Sequence, residues 1–119
     1  MWELSRSFGF EAAHTLRRAV ETEASLRVHG HSYRAEVTLR GVPDASGMLV
    51  DLAVFAAALA AVRDGLDHRM LDEVPGLAPP TLENLAAYIW RALAHLPLAR
   101  VSVHRDSLGE SCAYFGPAA

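Results

Sequence analysis

The chain has 119 residues, 51% hydrophobic and 21% charged, the balance of a globular domain rather than a disordered segment. Its 11 basic and 14 acidic residues leave a formal charge of −3, which provides no electrostatic footprint for nucleic acid or an anionic membrane. One cysteine, Cys112, excludes an internal disulfide and any cysteine-rich metal cluster.

The opening MWELSRSFGF has neither a basic start nor an unbroken apolar core, so no secretory signal is expected. The longest apolar run, Leu52 to Val62, is far short of the ~20 residues that span a bilayer. A single domain over residues 1–119, in the cytoplasm, is the expectation.

Trp2, Leu4, Phe8, Phe10, Ala12 and His14 share one parity; Glu3, Ser5, Ser7, Glu11 and Ala13 share the other, with Arg6 the exception on the apolar side. This is the period of a half-buried strand, ending at His14. Residues 15–28 lose periodicity and carry Arg17, Arg18, Glu21, Glu23 and Arg27, which predicts a loop. Alternation then resumes: His29, His31, Tyr33, Ala35, Val37 and Leu39 occupy one face of a second strand, expected to pair with the first.

After a turn-rich connector from Gly41 to Gly47, Asp51 is placed to cap a helix. Leu52, Phe55, Leu59, Val62 and Leu66 follow at helical spacing, with a stop near Gly65. Thr81 can cap a second helix whose buried stripe is Leu82, Leu85, Ala86, Ile89, Leu93 and Leu96. A third strand over Leu98 to Arg105 turns through Ser107-Leu108-Gly109-Glu110 into a fourth, Ser111 to Gly116. The order β-β-α-α-β-β predicts an α+β fold, a four-stranded antiparallel sheet with both helices on one face. Its two exposed edges invite association with other copies.

Histidines at His14, His29 and His31 all project from the inward faces of two strands, near the loop that joins them. Three buried imidazoles without partners would be costly, which favours a shared ligand. Three protein ligands with an open fourth position are the pattern of a catalytic zinc site. Histidines used only in packing are the alternative. Asp67-His68, where a helix ends, can serve as a carboxylate–imidazole pair for proton transfer. Thr81 with Glu83 is most simply a helix cap with a carboxylate near the dipole's positive end. His95 and His104 have no matching context.

Taken together, F-x-F-E-A-A-H, H-G-H-S-Y, G-M-L-V-D, L-D-H-R-M-L, P-T-L-E-N-L-A and A-Y-F-G, running in order from Phe8 to Gly116, resemble the 6-pyruvoyltetrahydropterin synthase family. That family includes the 6-carboxytetrahydropterin synthases of queuosine biosynthesis. The resemblance implies the tunnelling fold, in which subunits join their sheets into a barrel, commonly a homohexamer of two stacked trimers with sites at subunit boundaries. It implies zinc on His14, His29 and His31, and a reduced pterin substrate, 7,8-dihydroneopterin triphosphate, whose side chain is rearranged with loss of triphosphate. Asp67 and His68 would relay protons, and Thr81 and Glu83 would contribute to substrate binding. Arg17, Arg18 or Arg27 would meet the triphosphate, or simply form a solvated face.

Two positions depart from the family pattern. Ser25 stands where the proton-abstracting cysteine is usual, and a serine hydroxyl needs a base where a thiol can be tuned to a thiolate. Leu26 stands where some members carry a glutamate. Arg105 stands where a glutamate anchors the pterin; a guanidinium has no acceptor atoms, so Asp106 is expected to take that role after a one-residue shift. The leading expectation is therefore a zinc-dependent pterin lyase with Ser25, Asp67 and His68 as its catalytic group. The alternatives are a divergent zinc-binding paralogue that holds a pterin or purine without that activity, and an interaction module without metal.

Overall fold

The computed structural model describes residues 1–20 and 22–118; Glu21, one of the charges of the expected loop, lies outside the described residues, as does Ala119. The elements run β1 (Trp2–His14), α1 (Thr22–Leu26), β2 (His29–Gly41), α2 (Leu52–Asp64), β3 (Arg69–Met70), α3 (Leu82–Ala92), β4 (Leu98–Arg105) and β5 (Glu110–Tyr114).

Strict alternation produces the long hairpin at the centre. β1 and β2 pair antiparallel without a slip from Trp2↔Gly41 to His14↔His29. A one-residue shift would turn Phe10, Tyr33 and Val37 to the other face, so burial of that face specifies the register. β4 pairs with β2 across an irregularity at Thr38 and Leu39, and β5 pairs with β4.

The sheet has five strands in the order β3-β1-β2-β4-β5, where alternation predicts four. The added strand, β3, runs parallel to β1 at Ala12 and Ala13. It forms because the chain leaving α2 is tied back by the His68 N–H, which donates to the Glu11 carbonyl. Two residues are too few for a period-2 pattern to register. The expected loop over 15–28 also contains a short helix, α1, which buries Ser25.

Helix α2 begins where Asp51 accepts from the Ala53 N–H at 2.7 Å, and α3 begins where Thr81 Oγ1 accepts from Asn84 N–H at 3.1 Å. Phe55, Leu59, Val62 and Leu66 from the first, and Leu85, Ala86, Ile89 and Leu93 from the second, pack onto Phe10, Tyr33, Val37, Leu39, Val101 and Val103. Full burial of each large side chain stabilises the fold by ~1.5–3 kcal/mol. The other face of the sheet is polar, crossed by Glu3–Arg40, Glu36–Arg100 and Arg34–Asp106 pairs. These are partly solvated, and each contributes only ~0.2–1 kcal/mol.

Among the described residues, no helix is long and apolar enough to cross a membrane. The two layers leave one end of the hairpin for the site. There the last pair of β1 and β2 meets the start of α3, with α1 and the β4–β5 turn beside it.

Candidate metal centre and ligand cavity

His14, His29 and His31 converge because two of them form the final pair of β1 and β2 and the third lies two residues along the same face. Their rings meet edge-on, with centroids 4.5–5.0 Å apart and interplanar angles of 71–90°. His14 Nε2 lies 2.9 Å from His29 Nε2 and 3.0 Å from His31 Nε2.

The other ring nitrogens settle what these short contacts mean. His14 Nδ1 is 3.0 Å from the Pro80 carbonyl and His29 Nδ1 is 2.8 Å from the Arg27 carbonyl. A carbonyl has no proton to give, so both Nδ1 atoms carry the hydrogen and donate it. Both Nε2 atoms are then bare lone pairs directed at one another. Such an arrangement is repulsive unless a cation lies between them. Tetrahedral zinc with Zn–N bonds of about 2.05 Å places ligand nitrogens about 3.3 Å apart, so the triad fits with an outward shift of a few tenths of an ångström.

The protonation states agree. Burial lowers the affinity of His14 for a proton, opposed in part by the hydrogen bond to Pro80. Burial, then the Arg105 guanidinium and the neighbouring imidazoles, brings His31 down to about 4. Both are neutral at pH 7, the form that binds metal.

The Pro80 carbonyl is itself held from α3. Thr81 N–H and Asn84 Nδ2 both donate to the Pro79 carbonyl at 2.8 Å, and the Thr81 hydroxyl caps the helix. On the other side, Thr15 N–H donates to Asp72 at 2.9 Å, pinning the chain just after His14. Asn84 and Asp72 are thus positioning residues that sequence reasoning missed. The first had a signal, since it completes the P-T-L-E-N motif. The second had none.

A cavity of about 450 Å³ opens over the triad and is lined by Ser25, Thr81, Glu83, Arg18, Arg105 and Glu110 among others. Ser25 is only 6% exposed. Six of the nine residues singled out from sequence therefore share one cavity: His14, His29, His31, Ser25, Thr81 and Glu83.

The other three lie elsewhere. Asp67 and His68 lie just before β3 at the β1 edge of the sheet, outside that cavity, and His68 borders a second groove with Glu11, Gly30, His31 and Ser32. Asp67 accepts from Glu11 N–H at 2.9 Å and pairs with His68 Nδ1 at 2.9 Å and with Arg63 at 3.1 Å. The hydrogen bond from Glu11, then that from His68, holds its carboxyl below the usual range. His68 adopts a left-handed φ of 58° and keeps its side chain 80% exposed. A non-glycine residue in that region stores ~1–3 kcal/mol of strain, a feature concentrated at functional sites.

Asp106, expected to enter the cavity after a shift, is instead turned to the polar face, where Arg34 donates to it at 2.9 Å. The acid that does line the cavity with Arg105 is Glu110. The expected turn included Glu110, whereas in the structure it begins β5, directly opposite Arg105. Cys112 is a partly buried thiol pushed up by desolvation and by the Glu83 charge, and so stays protonated.

Residues 3–117 match the family described as 6-pyruvoyl tetrahydropterin synthase. The chain is 34% identical to a 6-carboxy-5,6,7,8-tetrahydropterin synthase from Synechocystis sp., over 98% of this chain and 95% of that protein. It is 36% identical to the 6-pyruvoyl tetrahydrobiopterin synthase of Homo sapiens, over 74% of this chain and 71% of that one. Its fold superposes on the Caenorhabditis elegans 6-pyruvoyl tetrahydropterin synthase with a TM-score of 0.82 at 28% identity, covering 98% and 96% of the two chains. With the histidine triad at the end of its central hairpin, this chain belongs to the 6-pyruvoyl tetrahydropterin synthase family.

Proposed function

We propose that the chain is a lyase that rearranges the side chain of a reduced pterin, 7,8-dihydroneopterin triphosphate, with zinc held by His14, His29 and His31. The observation that carries this reading is the convergence of three Nε2 atoms, with the tautomers of His14 and His29 set by carbonyls, beside a cavity large enough for a bicyclic ring. When bound, zinc polarises the oxygen atoms of the substrate side chain as a Lewis acid and makes neighbouring carbon-bound protons more acidic.

The remaining work falls to the chain's own groups. Thr81 and Glu83 border the cavity and hold the substrate, and Arg18 faces its anionic end. Ser25 occupies the position of the proton acceptor, and its hydroxyl serves only once another group takes its proton. Asp67 and His68 supply that relay. The carboxylate holds Nδ1, leaving Nε2 to accept or return a proton.

Since this pair does not line its own triad's cavity, it serves the cavity of a neighbouring copy. The sheet edges support such association. β1 is covered by β3 only at Ala12 and Ala13, and among the described residues β5 has one strand partner, β4. Edges of this kind close into a ring by strand pairing, with a homohexamer as the expected assembly.

A steady-state assay of zinc-loaded protein with 7,8-dihydroneopterin triphosphate tests the reading, and turnover is expected. No turnover, together with activity gained by Ser25→Cys, would refute the native lyase. A second reading, a paralogue that binds a pterin or purine without turnover, is favoured by Ser25 standing where the resemblance puts a thiol. It predicts ligand-dependent rises in melting temperature with no product formed.

A further inference from the structure

Strand β3 has only two residues, yet the chain on either side of it is fastened to β1 by a carboxylate. Before it, both peptide groups of Glu11 are used: the N–H donates to Asp67 Oδ1 at 2.9 Å, and the carbonyl accepts from the His68 N–H at 2.6 Å. After it, Thr15 donates twice to Asp72, from its N–H to Oδ1 at 2.9 Å and from its hydroxyl to Oδ2 at 2.5 Å. Between these ends Ala12 and Ala13 pair with Arg69 and Met70. The turn that carries Asp72, Leu71–Glu73, is anchored by the fully buried Leu71.

Residues 11–15 and 67–72 therefore form one closed circuit of contacts. Hydrogen bonds to an ionised carboxylate are roughly twice as strong as neutral ones, and an edge strand with two ladder positions frays readily without such support. Two functional groups belong to this unit. His14, a member of the triad, directly precedes Thr15. The His68 imidazole is held through Nδ1 by Asp67 Oδ2, while Oδ1 of the same carboxylate takes the Glu11 N–H, so the ring is tied to β1.

A metal on the triad acts on the same unit. His14 is buried and its ring is held at Nδ1 by the Pro80 carbonyl, so its position depends on the backbone at the end of β1. Without a cation the facing lone pairs of the triad push that end apart; with one they hold it closed. A ligand suppresses only those openings that break its own site. Whether it also suppresses opening of the Asp67–His68 segment depends on whether that segment can leave β1 by itself, and the grip of Asp72 on Thr15 prevents this.

We propose that Asp72 is a positioning residue that couples metal occupancy of the triad to the order of the Asp67–His68 segment: while its carboxylate holds Thr15, residues 67–72 open only together with the end of β1. This rests on the metal and relay readings above and deepens them. A copy without metal would present a loosened relay to its neighbour, so the relay is in place only where the triad is filled.

Hydrogen exchange read by mass spectrometry, in chelator and in zinc at one hundred times its dissociation constant, tests the coupling. At that concentration an opening that breaks the site is about 100-fold rarer, so wild-type exchange over residues 67–70 is expected to slow by about tenfold or more. In Asp72→Ala, residues 12–14 should keep their zinc-dependent protection while residues 67–70 slow by less than about twofold. Asp72→Asn, whose amide oxygen can still accept the Thr15 N–H, should restore part of the effect. A residue needed for stability alone would raise exchange equally with and without metal and leave the ratio unchanged. Thr15→Val, which removes only the hydroxyl bond, should reduce the ratio and decides the matter if Asp72→Ala does not fold. One zinc per wild-type chain with no slowing over 67–70, or undiminished slowing in the variants, would overturn the coupling and leave the metal reading standing. Failure of the wild type to hold zinc would refute both.

Discussion

Replacing His29 by alanine, beside His14 by alanine, separates a metal ligand from a packing histidine. His29 is partly exposed, and its Nδ1–H bond to the Arg27 carbonyl is at the surface, where water can replace it. His14 is 1% exposed, and its loss leaves the Pro80 carbonyl without its donor. In metal-free protein, His14→Ala is expected to cost about 1–3 kcal/mol for that unsatisfied group and the space left behind, and His29→Ala less than about 1 kcal/mol. Zinc adds a second term. At a free concentration one hundred times its dissociation constant, it stabilises the wild type by about 2.7 kcal/mol. Removing either imidazole leaves two ligands, so both variants should lose nearly all of that gain although their metal-free stabilities differ. Urea denaturation in chelator and in buffered zinc, with elemental analysis of the purified proteins, measures both terms. The reasoning is refuted if His29→Ala keeps one zinc per chain and the full zinc-dependent gain.

Asn84→Ala should lower zinc affinity about 10- to 100-fold while leaving the fold intact, because it frees the Pro79–Pro80 segment whose carbonyl orients His14; competition with a chelating dye measures this. Acid should destabilise the metal-free protein in a defined window. Unfolded imidazoles take protons near 6.5, whereas burial holds His31 down to about 4 in the fold, so the unfolded chain binds more protons between those values. Stability is then fully present above pH 6.5 and falls as the pH drops toward 4; a flat profile in chelator would contradict the burial of the triad. Phe55→Ala, which empties a fully buried position between α2 and the sheet, should cost about 3–5 kcal/mol by chemical denaturation.

Local rules reached far in this chain. Period-2 alternation located β1 and β2 and assigned His14, His29 and His31 to the buried face, since side-chain direction along a strand follows from the backbone alone. Asp51 and Thr81 marked the starts of α2 and α3 because a short oxygen-bearing side chain satisfies a helix's first N–H groups wherever the helix lies. Such features depend on neighbours a few positions away, and they carried the histidine triad and part of the cavity wall.

What remained was decided by where distant segments meet. The two-residue β3 exists only because the chain after α2 returns to Glu11, and that return places Asp67 and His68 at the β1 edge of the sheet, outside the cavity over the triad. The tautomer of His14 depends on a carbonyl 66 residues away. The acid beside Arg105 is Glu110 and not Asp106 because the turn closes through a left-handed Gly109, which returns Glu110 to the inward face. Sequence periodicity specifies which way a side chain points from its own strand. It carries no information on how many residues a turn consumes or which segment crosses behind, and those quantities are settled by packing the whole chain.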